Sequence, residues 1–384
     1  MCRRAAERRL LRSPRKSELT LNIKDELLDD ELTTAAFGRV ADAPVVALCV
    51  IIPAYNEAQS IADTIRSLWA QTLVPAEILV VDDCSTDGTG ELAGNLGVTV
   101  LRPLKNTGSK AGAQNYALHR VRTPWVMAID ADTVLAPDAV EKLVTAFQDD
   151  RVVAACGFVL PRRVRTIWER GRYIEYLFAF TFYKQVQDYF QRPLISSGCF
   201  SVYRTDVLQA IGGWPSRTLA EDMDLTWSLY EARHQVRFVP EAVCYPIEPH
   251  DFHYMSKQLR RWSHGFVQNL RLHWREMLHV PFLRSAVAVA VWDAAIASFV
   301  FLFVLPILAI VLRAPWLLLG YAIDAPAILV PVLAGAIPRG ETRLALRSFP
   351  MFFILRTLNA IFFMRALWTE LVLGRSLRVY EKGH

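Results

Sequence analysis

The chain has 384 residues, of which 53% are hydrophobic, and its mean hydropathy is +0.21. That apolar share is high for a wholly soluble protein, so we expect part of the chain to lie in lipid. The net charge of +5 is small and the basic residues are scattered, which argues against a nucleic-acid-binding surface and favours affinity for a membrane surface. The six cysteines form no C-x-x-C pair, which favours reduced thiols in a cytoplasmic domain over a metal or redox site.

The start of the chain is basic, but no apolar signal segment follows before the acidic run at residues 25–31. We therefore expect no export signal and predict a disordered or loosely structured tail over residues 1–42. An α/β domain over residues 43–280 and a membrane region of two to three helices over residues 281–384 complete the predicted division of the chain.

From Ala47 onward the sequence alternates between strand-like and helix-like segments. The strand-like runs are VALCVIIPAY, EILVVDD, VTVLRPL and WVMAID, and the helical runs between and after them are SIADTIRSLWAQ, TGELAGNL and PDAVEKLVTAF. This order predicts an α/β fold with a parallel sheet, helices on both faces, and ligands outside the carboxyl ends of the strands.

Two later stretches, residues 165–190 and 254–278, mix aromatic and basic residues at helical spacing. Such segments fit interfacial amphipathic helices lying along a membrane surface. They fit core helices of the globular domain almost equally well.

Two apolar runs, residues 286–312 and 316–337, are long enough to span a bilayer, and each contains a single aspartate. We predict both as membrane helices. A third run, residues 348–373, contains charges that are costly at membrane depth, so spanning the membrane, lining a channel and lying at the interface all stay open for it.

The loop between the second and third runs is basic. Arg339, Arg343 and Arg347 follow the second run, and positive residues favour the cytoplasmic side. The sequence therefore predicts a multi-pass protein of the cell membrane whose catalytic domain is cytoplasmic.

Carboxylates follow two of the predicted strands. Asp82 and Asp83 end one strand, and Asp130 and Asp132 follow another in a D-x-D arrangement. Two carboxylates that flank one residue are able to share a hard cation such as Mg²⁺ or Mn²⁺, which would bridge phosphate oxygens.

The segments PAYNEAQSI, VVDDCSTDGT, KNTGSKAGAQN and DAD together resemble the nucleotide-binding half of glycosyltransferase family 2, over roughly residues 47–265. The resemblance implies a GT-A-type, Rossmann-like domain that binds a nucleotide sugar. It also implies nucleoside contacts from Tyr55, Glu57 and Asp83, donor contacts from Lys110 and Asn115, ribose and diphosphate contacts from Asp130, and a metal ligand in Asp132.

Three further motifs are SSGCFSVYR from Ser196, A-E-D from Ala220, and Q-x-x-R-W from Gln258. The set resembles synthases of cellulose, chitin, hyaluronan and poly-N-acetylglucosamine, except that Ala220 replaces the usual threonine of T-E-D. The resemblance implies that the general base is Asp222, and a carboxylate near the acceptor hydroxyl has the right chemistry for that role. Glu221 is the alternative base or a partner of Asp222. The predicted acceptor and diphosphate site comprises Ser197, Gly198, Cys199, Gln258, Arg261 and Trp262.

The segment E-P-H-D-F-H brings Glu248, His250 and His253 close together along the chain. We interpret it as polar loop residues rather than a metal site, because the D-x-D already accounts for the cation.

Three functions compete. The first is a processive synthase that extends a polysaccharide from a UDP-sugar, with UDP-N-acetylglucosamine or UDP-glucose favoured. The second is single transfer to a lipid acceptor, and the third is a catalytically silent nucleotide-sugar sensor. Because two or three helices are few to enclose a polymer channel, the first function also predicts a homo-oligomer or a membrane partner.

Overall fold

The computed structural model describes residues 43–280, 282–297 and 299–377. The tail predicted for residues 1–42 lies outside the described residues. The described chain contains one sheet of eight strands. They are β1 (Val45–Ala54), β2 (Val74–Asp82), β3 (Thr99–Leu101), β4 (Trp125–Ile129), β5 (Thr133–Leu135), β6 (Val152–Val159), β7 (Phe200–Arg204) and β8 (Gln235–Pro246).

Helices flank this sheet and continue beyond it. Those of the first half are α1 (Ile61–Trp69), α2 (Thr89–Asn95), α3 (Lys110–Leu118) and α4 (Ala139–Thr145). Those of the middle are α5 (Ile167–Phe178), α6 (Lys184–Tyr189), α7 (Thr205–Ala210), α8 (Glu221–Glu231) and α9 (Phe252–Met277). The last four are α10 (Leu283–Val291), α11 (Leu305–Val311), α12 (Tyr321–Ala336) and α13 (Thr342–Leu367).

The sheet confirms the α/β fold but is mixed, so the prediction of a wholly parallel sheet was wrong. Its strand order is β3-β2-β1-β4-β7-β6-β8-β5. The first four strands in this order are parallel, whereas β7 runs antiparallel to β4 and β6, and β5 runs antiparallel to β8. The reason lies in the connections: β5 follows β4 after three residues, with no crossover helix to return the chain to the same direction.

The two aromatic and basic stretches form α5, with the helical segments after it, and α9. A capping box between Thr166 and Glu169 begins α5, and Asp251 caps the first turn of α9. The glycine at position 171 allows α13 to approach α5 closely, since a Cβ there would lie 3.1 Å from the Leu355 Cβ. Both helices therefore lie between the sheet and the C-terminal helices.

Among the described residues, two helical segments are long and apolar enough to cross a membrane, Pro315–Arg339 and Thr342–Val372. The first contains the predicted run 316–337, and the second contains the run 348–373. The predicted run 286–312 is helical on both sides of residue 298, which lies outside the described residues, and its membrane role stays a prediction.

Both ends of the second segment contact the sheet-bearing half of the chain. Near its start, the Tyr173 hydroxyl of α5 donates to Glu341 at 2.7 Å. Near its end, Glu370 lies 2.8 Å from the Nδ1 atom of His264 in α9. Both ends of this segment therefore pack against the sheet-bearing half of the chain, and the three placements left open for residues 348–373 stay predictions.

Candidate active site

One edge of the sheet gathers the predicted motifs. Strands β1, β2 and β4 are parallel neighbours, so their carboxyl ends meet there and present Tyr55, Asp83 and Asp130. Strand β7 runs the opposite way, and its first residue, Phe200, pairs with Ile129. That pairing brings the segment 197–199 to the same edge.

A cavity of about 930 Å³ opens at this edge. All but one of the predicted site residues line it: Tyr55, Glu57, Asp83, Lys110, Asp130, Asp132, Ser197, Gly198, Cys199, Glu221, Asp222, Gln258, Arg261 and Trp262.

The exception is Asn115. Its side-chain amide donates to the Trp214 carbonyl at 2.7 Å, and its Oδ1 accepts from the Trp214 N–H at 2.8 Å. Asn115 does not line the cavity and instead fixes the loop that precedes the A-E-D motif. We therefore leave it out of the donor site proposed below.

The end of the cavity near β1 and β2 is built by short polar contacts. Both carboxylate oxygens of Asp83 accept from Thr107, one from its N–H and one from its hydroxyl, each at 2.8 Å. Glu57 is buried, and its carboxylate accepts from the Ser60 hydroxyl at 2.9 Å. These contacts fix two carboxylates at the predicted nucleoside position.

Lys110 connects three of the motifs. Its ammonium pairs with Asp130, donates to the Gly198 carbonyl at 3.0 Å, and lies 3.9 Å from Glu221. The lysine begins α3, where Ser109 caps the helix. One cation thus links the D-x-D, the segment 197–199 and the A-E-D.

Asp222 is held by backbone groups. Its Oδ2 accepts from the Gly198 N–H at 2.8 Å and its Oδ1 from the Met223 N–H at 2.9 Å. A Cβ at position 198 would lie 2.9 Å from Oδ2, so glycine is needed for this close approach. The carboxylate sits in the first turn of α8, where the helix dipole favours negative charge.

Glu221 differs from its neighbour in its surroundings. Burial raises the pKa of its carboxyl, Lys110 opposes that effect, and the charge of Asp222 adds to it. The two carboxyl groups of the A-E-D motif therefore occupy different electrostatic environments within one cavity.

The D-x-D site has the chemistry expected of a cation site. Burial raises the pKa of Asp132 well above its usual value, and the nearby carboxylates of Asp130, Glu57 and Glu248 raise it further. A divalent cation would offset this accumulation of negative charge. No group of three or more His, Cys, Asp or Glu side chains forms a metal cluster within the described ranges, so a cation here would rely on oxygen ligands from a bound substrate as well.

Arg172 of α5 organises the Q-x-x-R-W motif. The guanidinium is fully buried, donates to the Gln258 Oε1 at 2.6 Å, and lies 4.5 Å from the centre of the Trp262 ring. It also pairs with Glu175 and lies 3.5 Å from Glu248. Arg172 was not among the predicted site residues, although its spacing of three residues from Glu175 places both charges on one helix face and favours an ion pair.

Glu248 serves this arrangement rather than a histidine metal centre. The Tyr176 hydroxyl donates to its carboxylate at 2.7 Å. Burial raises the pKa of Glu248, and the charge of Arg172 opposes that shift. His250 and His253 are exposed, but only His250 lies in a loop, since His253 belongs to the first turn of α9.

The cavity continues past Trp262 toward the apolar helices. Its far walls include Val289 of α10 and Phe352 of α13. There Arg356 forms ion pairs with Asp324 at 2.9 Å and Asp293 at 3.1 Å. One arginine thus offsets part of the cost of two aspartates that lie in other apolar runs.

The matches to known proteins agree in pointing to glycosyltransferases and polysaccharide synthases. Residues 49–212 match the family model described as Glycosyl transferase family 2. A poly-beta-1,6-N-acetyl-D-glucosamine synthase of Staphylococcus aureus (strain COL) is 26% identical over 255 residues, which cover 65% of this chain and 59% of the relative. The synthase of the same name from Staphylococcus epidermidis is 25% identical over 225 residues, covering 58% of this chain and 55% of the relative.

The chain thus spans less than two thirds of the length of these relatives. A solved mannosyltransferase of Pyrobaculum calidifontis, determined with GDP-Man and Mn²⁺, superposes with a TM-score of 0.55 at 18% identity and covers 92% of this chain. Because the superposition covers so much of this chain, the likeness of fold to the mannosyltransferase includes the C-terminal helices. Residues 49–212 are therefore the part of the chain that matches glycosyl transferase family 2.

Proposed function

We propose that the chain is an inverting glycosyltransferase that transfers a sugar from a UDP-sugar to a growing polysaccharide at the membrane. The observation that carries the proposal is the single cavity that unites the nucleotide motifs, the A-E-D carboxylates and Q-x-x-R-W. The similarity to synthases of poly-beta-1,6-N-acetyl-D-glucosamine favours UDP-N-acetylglucosamine over UDP-glucose as the donor.

In this proposal the donor lies with its nucleoside near Asp83 and Glu57 and its diphosphate near Asp130 and Lys110. Asp132 would hold a divalent cation, Mg²⁺ or Mn²⁺, which when bound would supply charge neutralisation for the diphosphate. Arg261, which lines the same cavity, would add a planar cationic group for the departing nucleotide.

The acceptor hydroxyl attacks the anomeric carbon, and the bond from that carbon to the diphosphate oxygen breaks. Asp222 takes the hydroxyl proton, and UDP leaves with the bonding electrons. A single displacement of this kind inverts the configuration at the anomeric carbon. The backbone N–H groups of Gly198 and Met223 fix the orientation of the base before the acceptor arrives.

Trp262 would stack on the acceptor sugar, with Gln258 beside it as a hydrogen-bonding group. Arg172 holds both side chains from behind. The polymer would leave along the part of the cavity that passes the apolar helices.

Single transfer to a lipid is the second candidate, and the far part of the cavity favours it. Its walls at Ala286, Val289, Phe352 and Phe363 are apolar and belong to helices next to the predicted membrane spans. Such walls fit the hydrocarbon part of a lipid acceptor.

The size distribution of early products distinguishes the two candidates. With limiting enzyme and excess UDP-N-acetylglucosamine, the polysaccharide proposal predicts long products while most acceptors stay unextended. Early products that are exclusively mono-glycosylated lipid would replace it with the second candidate.

Under the polysaccharide proposal, Trp262→Ala should reduce chain extension more than donor hydrolysis, because the ring would support the acceptor sugar.

A further inference from the structure

The loop that precedes Asp222 is supported from behind by α9. A Cβ at position 265 would lie 2.7 Å from the Ala220 Cβ, so the glycine there permits direct contact between helix and loop. The Asn269 amide donates to the Ala220 carbonyl at 3.2 Å. Backbone contacts from α9 thus hold the position at which the usual T-E-D motif has a threonine.

Gln268 on the same helix joins this loop to a second partner. Its Oε1 accepts from the Leu219 N–H at 3.0 Å, and its Nε2 donates to the Glu370 Oε1 at 2.8 Å. The two partners fix the direction of the amide, because a flipped side chain would face a donor with a donor and a carboxylate with a carbonyl. The Gln268 side chain therefore forms hydrogen bonds with the loop and with Glu370 at the same time.

Glu370 ends the apolar segment that begins with α13 and is almost fully buried, with 2% of its surface exposed. Its carboxylate also contacts the His264 Nδ1 at 2.8 Å and accepts from the Leu377 N–H at 3.1 Å. Gln268 in turn donates to the Leu377 carbonyl at 2.9 Å. The end of the described chain is thus bound into one buried cluster with α9.

We propose that Gln268 is a positioning residue that couples Glu370, near the end of the apolar segment, to the loop that immediately precedes Asp222. The inference rests on the proposed role of Asp222 as the general base. If the loop shifts, Asp222 moves relative to the acceptor hydroxyl, and a displacement of about 1 Å is enough to reduce turnover by about 10²-fold. The nucleoside and diphosphate contacts proposed for Asp83, Lys110 and Asp130 lie on other elements, so donor binding should change much less than turnover.

Two near-isosteric substitutions test the coupling in the full-length membrane protein, with UDP release from UDP-N-acetylglucosamine as the readout. Gln268→Glu places two carboxylates together, and Glu370→Gln removes the acceptor that orients Gln268. Each should lower kcat at least tenfold and leave the donor KM within twofold. The double variant exchanges the two groups, restores a donor facing a carboxylate, and should return kcat to within threefold of the wild type.

Glu276→Gln is the matched control, since it removes an exposed carboxylate from the same helix. Unchanged kcat in both single variants, or a double variant that loses the product of the two single effects, would overturn the coupling. A donor KM that changes in step with kcat would also overturn it, because that pattern indicates general damage to the domain.

Amide hydrogen exchange separates this inference from the proposed function. In Gln268→Ala the Leu219 N–H loses its acceptor and should exchange at least tenfold faster, whereas in Glu276→Gln its rate should match the wild type. An unchanged Leu219 rate in Gln268→Ala contradicts the positioning role even if the enzyme is active. A wild-type protein that releases no UDP, with the exchange difference intact, contradicts the proposed donor and leaves the mechanical coupling supported.

Discussion

Asp222 and Glu221 are adjacent in sequence but differ in how the fold holds them. Asp222 accepts two backbone N–H groups at fixed distances, whereas Glu221 is buried beside the Lys110 ammonium. Burial raises the pKa of Glu221. The proposed function gives the role of base to Asp222, whose orientation is fixed by two backbone N–H groups, and a supporting electrostatic role to Glu221.

Replacing Asp222 with asparagine should lower the transfer rate by at least about 10²-fold, because removal of a general base costs 10² to 10⁴ in rate. The neutral amide keeps the size of the side chain, so UDP binding measured by calorimetry should stay within about threefold. Glu221→Gln is the comparison. If Asp222→Asn retains wild-type turnover while Glu221→Gln loses it, the two roles are exchanged.

Arg172 predicts a separate effect on the acceptor. Arg172→Lys keeps the positive charge but lacks the planar group that both bonds Gln258 and lies over Trp262. We expect the acceptor KM to rise by about tenfold with the donor KM unchanged. Arg165→Lys, at an exposed position just before the same helix, serves as the control. Equal changes of the acceptor KM in Arg172→Lys and Arg165→Lys would contradict the role of Arg172 at the acceptor site.

Asp83 and Asp130 were predictable as candidates because both follow parallel strands whose ends meet at one edge of the sheet. Lys110, at the start of α3, and Asp222, in the first turn of α8, were candidates through the family resemblance, and the cavity is lined by all four. Arg172 and Gln268 escaped prediction because each acts through partners far away in sequence. Asn115 shows the opposite case, since a motif position can serve a neighbouring loop instead of the ligand.

At the scale of elements, α8 and α9 are joined by His273. Its ring nitrogens contact Asp224 at 2.9 Å and Glu231, and Arg217 also pairs with Asp224. Burial alone would lower the pKa of His273, but its contacts with Asp224 and Glu231 outweigh it and raise the pKa to about 9. The charged imidazole thus stabilises the packing of the two helices behind the catalytic loop.

Because the pKa of His273 is raised by folding, its contribution to stability is complete below about pH 6.5 and is lost as the pH rises through about 9. The melting temperature should therefore fall between about pH 7 and pH 9.5, by a few degrees. In His273→Gln the melting temperature should be lower at neutral pH, and this part of the pH dependence should disappear. A variant whose pH profile parallels that of the wild type would show that other groups cause the loss.

The position of α13 predicts the membrane topology. Its start contacts α5, its end contacts α9, and Arg339 of the preceding loop lies 4.2 Å from the Phe158 ring in the sheet core. We expect both ends of the segment to lie on the cytoplasmic side, together with the sheet. The basic loop at residues 339–347 is consistent with that orientation.

Cysteines introduced at positions 343 and 374 of a cysteine-free variant test this topology. An impermeant thiol reagent added to intact cells should label neither position, and permeabilisation should expose both. A cysteine at position 313, between the two predicted spans, should be labelled from outside and is the positive control. Labelling at 374 but not at 343 would mean that the segment crosses the membrane.

Some of the strands and helices were predictable from the sequence. Alternation of strand and helix predicted β1 to β4 and the helices α1, α2 and α4, since buried parallel strands appear as continuous apolar runs, but it did not predict α3. The direction of β5 was not predictable from that alternation, because β5 follows β4 without a crossover helix. The direction of β7 was not predictable either, because β7 runs antiparallel to β6 although α5 and α6 lie between them. The packing of α13 on α5 depends on Gly171, whose role is visible only when the two helices are brought together.

At the scale of the whole molecule, one cavity extends from the nucleotide motifs to the ion pairs of the apolar helices. The donor end is polar, whereas the far end is walled by α10 and by α13, and α13 belongs to a segment long and apolar enough to cross a membrane. This arrangement is suited to an enzyme that takes a soluble donor and delivers its product at a membrane. Whether the functional unit includes a second copy or a membrane partner remains a prediction from the small number of helices.

The most direct test is mass spectrometry of the products that membranes containing the purified protein make from a panel of nucleotide sugars. We expect sugar transfer from UDP-N-acetylglucosamine, with a product of inverted anomeric configuration. Excess chelator should stop the transfer, since Asp132 is assigned to a divalent cation, and Asp222→Asn membranes should give no product. A retained configuration, or full activity in metal-free protein or in the Asp222→Asn variant, would contradict the account.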